Sequence, residues 1–174
     1  YKVRAVPEYN VELKLPNKSS NFVAMGCAAE VTLPLRLGTG VLGNGFAGRL
    51  MQKVRDQSGL TYGIYAHARD QLLMVQATFA PHLMARGIDE TQKVIAEWKE
   101  HGVTQEELDV QKEMLINSRT VAFDDPSMMA DILHGEHLRG QTFDADAVRA
   151  VTVAQVNAAI GQLGKFTVVK AGTF

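Results

Sequence analysis

Apolar and polar positions alternate through "YNVELKL", residues 9–15, and the turn residues of "PNKSS" close the run before "NFVAMGCAA" continues apolar and small. Alternation puts successive side chains on opposite faces of an extended chain, so these runs predict two neighbouring strands joined by a tight connection. The period then changes. Leu33, Leu37 and Val41 recur at helical spacing in "TLPLRLGTGVLG", although Pro34 and two interior glycines weaken that helix. In "FAGRLMQKVRDQSG", Phe46, Leu50 and Val54 fall at i, i+4 and i+8 on one face of a clearer helix, and Gly59 suits the left-handed residue that ends it.

"LTYGIYAHAR" and "LLMVQATFA" flank Asp70 and Gln71, which predicts a β-hairpin with a very short loop and apolar residues on both faces, as in a covered sheet. Pro81 serves as a first-turn residue for a helix whose apolar positions run through Leu83, Ile88, Val94, Ile95 and Trp98. Thr104 and Glu107 have the spacing of a capping box, which starts a new helix from about Gln105 to about Val121. Pro126 begins another through about Arg139, and a last helix starts near Thr152 with Val153, Val156 and Ile160 on one side. "KFTVVKAGTF" closes the chain as a strand. Strands at both ends and in the middle, with helices grouped between them, imply an α+β fold: a mixed, mainly antiparallel sheet layered with helices on one face. No repeat or linker divides residues 1–174, so a single domain is expected, and the opening Tyr1 without an initiator Met leads us to expect a fragment of a longer chain.

Composition narrows the function classes. Apolar residues make up 46% and charged residues 21%, with a formal net charge of -1, the profile of an ordinary globular domain. Nucleic acid is not expected as a partner, because phosphate binding leaves a clustered basic excess. Membrane insertion is not expected either, since the apolar runs break well before the ~18 residues a bilayer requires, and no signal peptide is visible. The one cysteine, Cys27, excludes an internal disulfide framework and a multi-cysteine zinc site, and it is compatible with periplasm or cytoplasm.

Several motifs carry candidate chemistry. "GNGFAG", Gly43 to Gly48, matches G-x-G-x-x-G, but a dinucleotide site needs that turn directly after a buried strand of a βαβ unit, and a tight turn opening a helix is favoured. "HGEH" sets His134, Glu136 and His137 close together. The established zinc motifs place two histidines four residues apart, and this stretch is one residue short with no third ligand nearby, so metal binding is disfavoured. A small metal enzyme built on His134 and His137 remains a rival reading. Cys27 lies in an apolar strand pattern without an activating base and is expected to be a buried, inert thiol. Met128 and Met129 are expected to fill core, and the acidic pair Asp124 and Asp125 to cap the helix at Pro126.

In "VRDQSGLTY", Arg55 stands seven residues before Tyr62 with the Ser58–Gly59 turn between them. That turn returns the end of a helix to the start of a strand and brings the two side chains to one end of the sheet. Structure alone accounts for such a pair if Arg55 meets an acid and Tyr62 is a half-buried core aromatic.

The larger segment "LGNGFAGRLMQKVRDQSGLTYGIYA" resembles L-G-G-G-F-S-S-R-L-x-x-x-V-R-E-K-x-G-L-x-Y-S-V of the C-terminal, non-catalytic unit of insulinase/pitrilysin-type zinc metallopeptidases, the inverzincins. "GVTQEELDVQKEMLINS", "VRAVTVAQVNAAI" and "FTVVKAGTF" are similar to further segments of the same family, in its order, over nearly the whole chain. The resemblance implies a bacterial protein with the mitochondrial-processing-peptidase-like metallohydrolase fold. It also implies a partner: a homologous H-x-x-E-H catalytic domain or subunit that holds zinc, while this chain binds none and is inactive alone. The two units enclose a chamber for a peptide substrate. Arg55 and Tyr62 match the family's arginine and tyrosine. By that likeness Arg55 holds substrate backbone or acidic groups and Tyr62 donates a hydrogen bond near the scissile carbonyl, where negative charge develops. The family's G-G-G is G-N-G here, and the hairpin around Asp70 is shorter. Long relatives are often exported, which favours the periplasm. Members of the superfamily also serve as non-proteolytic assembly modules, the main alternative.

Overall fold

The computed structural model describes residues 10–140 and 142–174, without the side chain of Arg139. Among the described residues five strands form one mixed sheet in the order β1-β5-β2-β4-β3. They are β1 (Val11–Lys14), β2 (Asn21–Ala28), β3 (Thr61–Arg69), β4 (Leu72–Phe79) and β5 (Thr167–Gly172). Among these described strands β1 and β5 pair parallel, and the other pairings are antiparallel. The helices are α1 (Leu33–Gly43), α2 (Met84–His101), α3 (Gln105–Ala122), α4 (Pro126–Arg139), α5 (Ala145–Ala150) and α6 (Val153–Gly161).

The expectation that β1 and β2 are neighbours fails. β5, from the far end of the chain, lies between them, and the link around Asn17 wraps its end: Leu15 N–H donates to Gly172 O at 2.8 Å and Lys18 N–H to Thr173 Oγ1 at 2.9 Å. The buried Asn21 amide fixes this crossing, donating to Thr173 O and accepting from Thr173 N–H, both at 2.8 Å. Tyr9, the first residue of the expected strand, lies outside the described residues.

One face of the sheet is buried. Val23, Met25, Ile64, Ala66, Leu73, Val75, Ala77 and Phe79 project from alternate positions of β2, β3 and β4 into one core with Leu35, Leu42, Leu50, Val94, Trp98, Val156 and Ile160. Trp98 Nε1 donates to Gly38 O at 3.1 Å, tying α2 to α1. α6 approaches α1 so closely at Gly38 that a Cβ there would fall 2.9 Å from Val156. The expectation of a sheet covered on both faces is therefore corrected. On the other face Phe22, Tyr65 and Leu72 are exposed, because the described helices pack on one side.

The hairpin between β3 and β4 is as tight as expected, with Asp70 and Gln71 both at positive φ, 52° and 67°. Pro81 opens a single 3-10 turn ahead of α2, and Thr104 and Glu107 form the complete capping box of α3. Asp125 caps α4 by accepting from Ser127 and Met128 N–H. The short α5 was not expected, although its N-cap, Asp144, was a readable signal. Met128 and Met129 are exposed rather than core-filling, since α4 buries none of its described side chains.

Candidate functional site

Arg55 and Tyr62 each sit on an interruption of regular structure at the same end of the sheet. The single α-helix expected over "FAGRLMQKVRDQSG" is instead a 3-10 turn, Gly45–Ala47, followed by a helix that becomes π-helical over Met51–Gln57. The break takes Phe46 off the core face, so Leu50 and Val54 are buried while Phe46 is 73% exposed. Gly45 holds φ 62° at that break, the tight turn preferred over a dinucleotide loop in "GNGFAG". Short π-helical stretches concentrate at functional sites, because the wider turn costs stability. Arg55 lies in the last turn of this one. Its guanidinium carbon stands 5.5 Å from the centroid of the Phe46 ring, and Nη1 is 3.6 Å from Asp56 Oδ1.

Gly59, at φ 62°, reverses the chain: its N–H donates to Arg55 O at 2.8 Å, and Leu60 N–H donates to Val54 O at 3.0 Å. β3 begins two residues later, at the edge of the sheet. Its pairing with β4 slips between Thr61, opposite Phe79, and Ile64, opposite Ala77, which leaves one extra residue in β3, a β-bulge at Tyr62 and Gly63. Tyr62 is 95% exposed. Tyr62 is thus not a half-buried core tyrosine, whereas Arg55 does lie near an acid, Asp56. The buried Thr61 hydroxyl spans the slip: Oγ1 lies 2.6 Å from Thr78 O, and Gly63 N–H donates to it at 3.2 Å. The two residues offer an exposed phenol, able to donate one hydrogen bond, and a planar guanidinium able to donate several, joined by the tight turn at Gly59.

The other candidate residues lie elsewhere. His134 and His137 are exposed on the outer helix α4. Glu136 is taken: it forms a bidentate pair with Arg119, at 2.5 and 2.9 Å, and accepts from Phe143 N–H at 3.2 Å. Arg119 is sandwiched between Phe123 and Phe143, whose ring centroids lie 4.6 and 5.1 Å from its guanidinium carbon. Among the described residues there is no group of three or more histidine, cysteine, aspartate or glutamate side chains that could hold a metal ion. Cys27 is buried in β2, and that burial pushes its thiol up to about 11, the inert state expected of it. A hollow of about 500 Å³ lies between the end of β2 and α6; among the described residues Glu30 alone of its lining is ionisable, and neither Arg55 nor Tyr62 lines it. Among the described residues no helix is long and apolar enough to cross a membrane.

Sequence reasoning missed Thr61 and the Arg119–Glu136 clamp. Nothing local marked either, since each depends on a partner remote in the chain.

Comparison with known proteins bears on the whole fold. The family model for the peptidase M16 inactive domain matches residues 14–115. A non-peptidase homolog, YmxG of Helicobacter pylori, is 35% identical over 86 residues, 45% of this chain and 19% of that protein. Among solved structures, the peptidase M16 inactive domain from Pseudomonas fluorescens superposes with a TM-score of 0.82 at 24% identity, covering 100% of this chain and 46% of its own. The periplasmic protease PqqL from Escherichia coli superposes with a TM-score of 0.73 at 17% identity, covering 98% of this chain and 21% of its own. The chain thus spans less than half the length of each of these relatives.

Proposed function

The chain belongs to the peptidase M16 inactive-domain family, and on that premise we propose that it is the non-catalytic, substrate-binding half of a zinc-dependent metallopeptidase. Residues 1–174 make one such unit of a longer protein or complex. The observation that carries the reading is Tyr62: a phenol 95% exposed on an edge-strand bulge, directly after the π-helical stretch that holds Arg55. A soluble domain gains no stability from so exposed an aromatic, whereas a donor fixed at the mouth of a peptide chamber needs that exposure.

In this reading the partner domain carries H-x-x-E-H and the zinc, which supplies Lewis-acid chemistry there; this chain contains no H-x-x-E-H. The chain's own residues bind and orient. Arg55, steadied by the Phe46 ring, holds the peptide backbone or an acidic side chain through its planar fork. Tyr62 donates a hydrogen bond from its hydroxyl to the substrate near the scissile carbonyl, where negative charge develops. A preorganised donor of this kind contributes about 2.7–4 kcal/mol to the transition state. Accordingly, Tyr62→Phe in the complete protein should lower kcat/KM for peptides roughly 100-fold, and an unchanged value would sink the reading.

Likeness to the periplasmic PqqL supports export of the parent protein to the periplasm. Cell fractionation that recovers it in the cytoplasm would contradict this.

A second reading is favoured by one observation, the 35% identity to a non-peptidase homolog. In that case the chain is a structural or assembly module of the same superfamily. Peptide hydrolysis by the parent protein separates the two: cleavage abolished by chelating its zinc supports the first reading, and none under any condition supports the second.

A further inference from the structure

We propose that Thr61 is a positioning residue for Tyr62: its hydroxyl locks the β-bulge that turns the phenol out of the edge of the sheet. This rests on the reading that Tyr62 acts on substrate.

A bulge leaves ladder groups unpaired and gives the bulged residue more freedom than a regular strand would. Here the slip falls between Thr61 and Ile64, so the stretch that must be held is Tyr62–Gly63. Gly63 cannot hold it by packing, because a Cβ built there meets nothing within 4 Å. Tyr62 cannot either, being almost fully exposed.

What remains is the Thr61 side chain. A hydroxyl has one proton and two acceptor sites. The 2.6 Å separation assigns the proton to Thr78 O on β4, with Gly63 O, at 3.0 Å, as the longer alternative. The oxygen accepts from Gly63 N–H at 3.2 Å. One buried atom therefore joins the neighbouring strand to the far side of the bulge and leaves Tyr62 between two fixed points. The donor is held in place before substrate arrives, which is the condition under which such a donor is effective.

The test uses the complete parent protein with a peptide substrate and compares Thr61→Val, Thr61→Ser, Tyr62→Phe and the double variant Thr61→Val/Tyr62→Phe. Thr61→Val keeps the shape and removes the hydroxyl, so kcat should fall about tenfold with KM within about twofold, as expected when an interaction made in the transition state is weakened. Thr61→Ser should retain wild-type kcat. In the Tyr62→Phe background, Thr61→Val should change kcat less than about twofold, because the group it positions is already gone. If Thr61→Val does not fold, Thr61→Ala replaces it, with melting temperature recorded for each variant.

A tenfold loss that persists in the Tyr62→Phe background would overturn the proposal and make Thr61 merely structural. Wild-type kcat in Thr61→Val beside an impaired Tyr62→Phe would overturn it while leaving the role of Tyr62 intact. Wild-type activity in Tyr62→Phe itself would bring down the reading of Tyr62, and the proposal with it.

Discussion

Helices α2 and α4 both follow a proline-led first turn, yet different forces hold them to the rest of the molecule. α2 is held by burial: Met84, Val94, Ile95 and Trp98 are in the core, and the Trp98 indole N–H reaches into α1. α4 buries none of its described side chains and leaves Met128, Leu133 and Leu138 exposed. It is fixed instead by Asp125 at its start and, near its end, by the Glu136 carboxylate on Arg119, whose guanidinium is sandwiched by two aromatic rings. The difference teaches that a helix can be specified by its caps and anchored by one ion-pair clamp, without contributing to the hydrophobic core. It also shows why the one acidic residue of "HGEH" is unavailable to a metal.

Three substitutions sharpen or break the comparison. The largest effect is expected on the buried side. Leu73 is fully buried on β4, the strand between β2 and β3. Leu73→Ala should cost about 3 kcal/mol in urea unfolding, the transfer term plus the cavity left behind. A loss under about 1 kcal/mol would mean the sheet face is not packed as described.

Glu136→Ala comes next. It strands Arg119, and the pair is 13–18% exposed at its side chains, so the cost should be about 2 kcal/mol, below the 3–5 kcal/mol of a fully buried pair. Amide exchange should accelerate mainly in α4, since the clamp is local. Equal acceleration across α2 would erase the distinction between the two helices.

The smallest effect belongs to Leu133→Ala on the exposed side of α4. With the side chain already 46% exposed, stability should change by less than about 0.5 kcal/mol in the same unfolding experiment. A loss near that of Leu73→Ala would show that α4 is core after all.

Most elements were legible because their signals are local. The Thr104–Glu107 box, Asp125 with Pro126, the Asp70–Gln71 turn and the left-handed Gly59 each act within four residues and appear as the spacing implied. Phe46 was misplaced because a straight 3.6-residue period was carried through a 3-10 turn and a π-helical stretch, neither of which changes the apolar spacing of Leu50 and Val54. The open face of the sheet was misjudged for a related reason: Phe22, Tyr65 and Leu72 look as apolar as core residues, and their exposure depends on which side the helices pack.

The candidate site divides in the same way. Its residue types and spacing, Arg55 and Tyr62 about the Ser58–Gly59 turn, are in the chain itself, as is the absence of H-x-x-E-H. Their presentation is not. The exposure of Tyr62, the bulge beneath it and the hydroxyl of Thr61 bridging to Thr78 depend on β4 lying alongside with a slipped register. By itself the sequence determined the capped helices α3 and α4, the Asp70–Gln71 hairpin and the turn at Gly59, because capping, periodicity and left-handed φ are settled by neighbours in the chain. Only the tertiary structure decided that β5 enters between β1 and β2, that Glu136 clamps Arg119, and that Tyr62 is exposed at the sheet edge. Those outcomes require groups far apart in sequence to meet, and no local pattern encodes the partner.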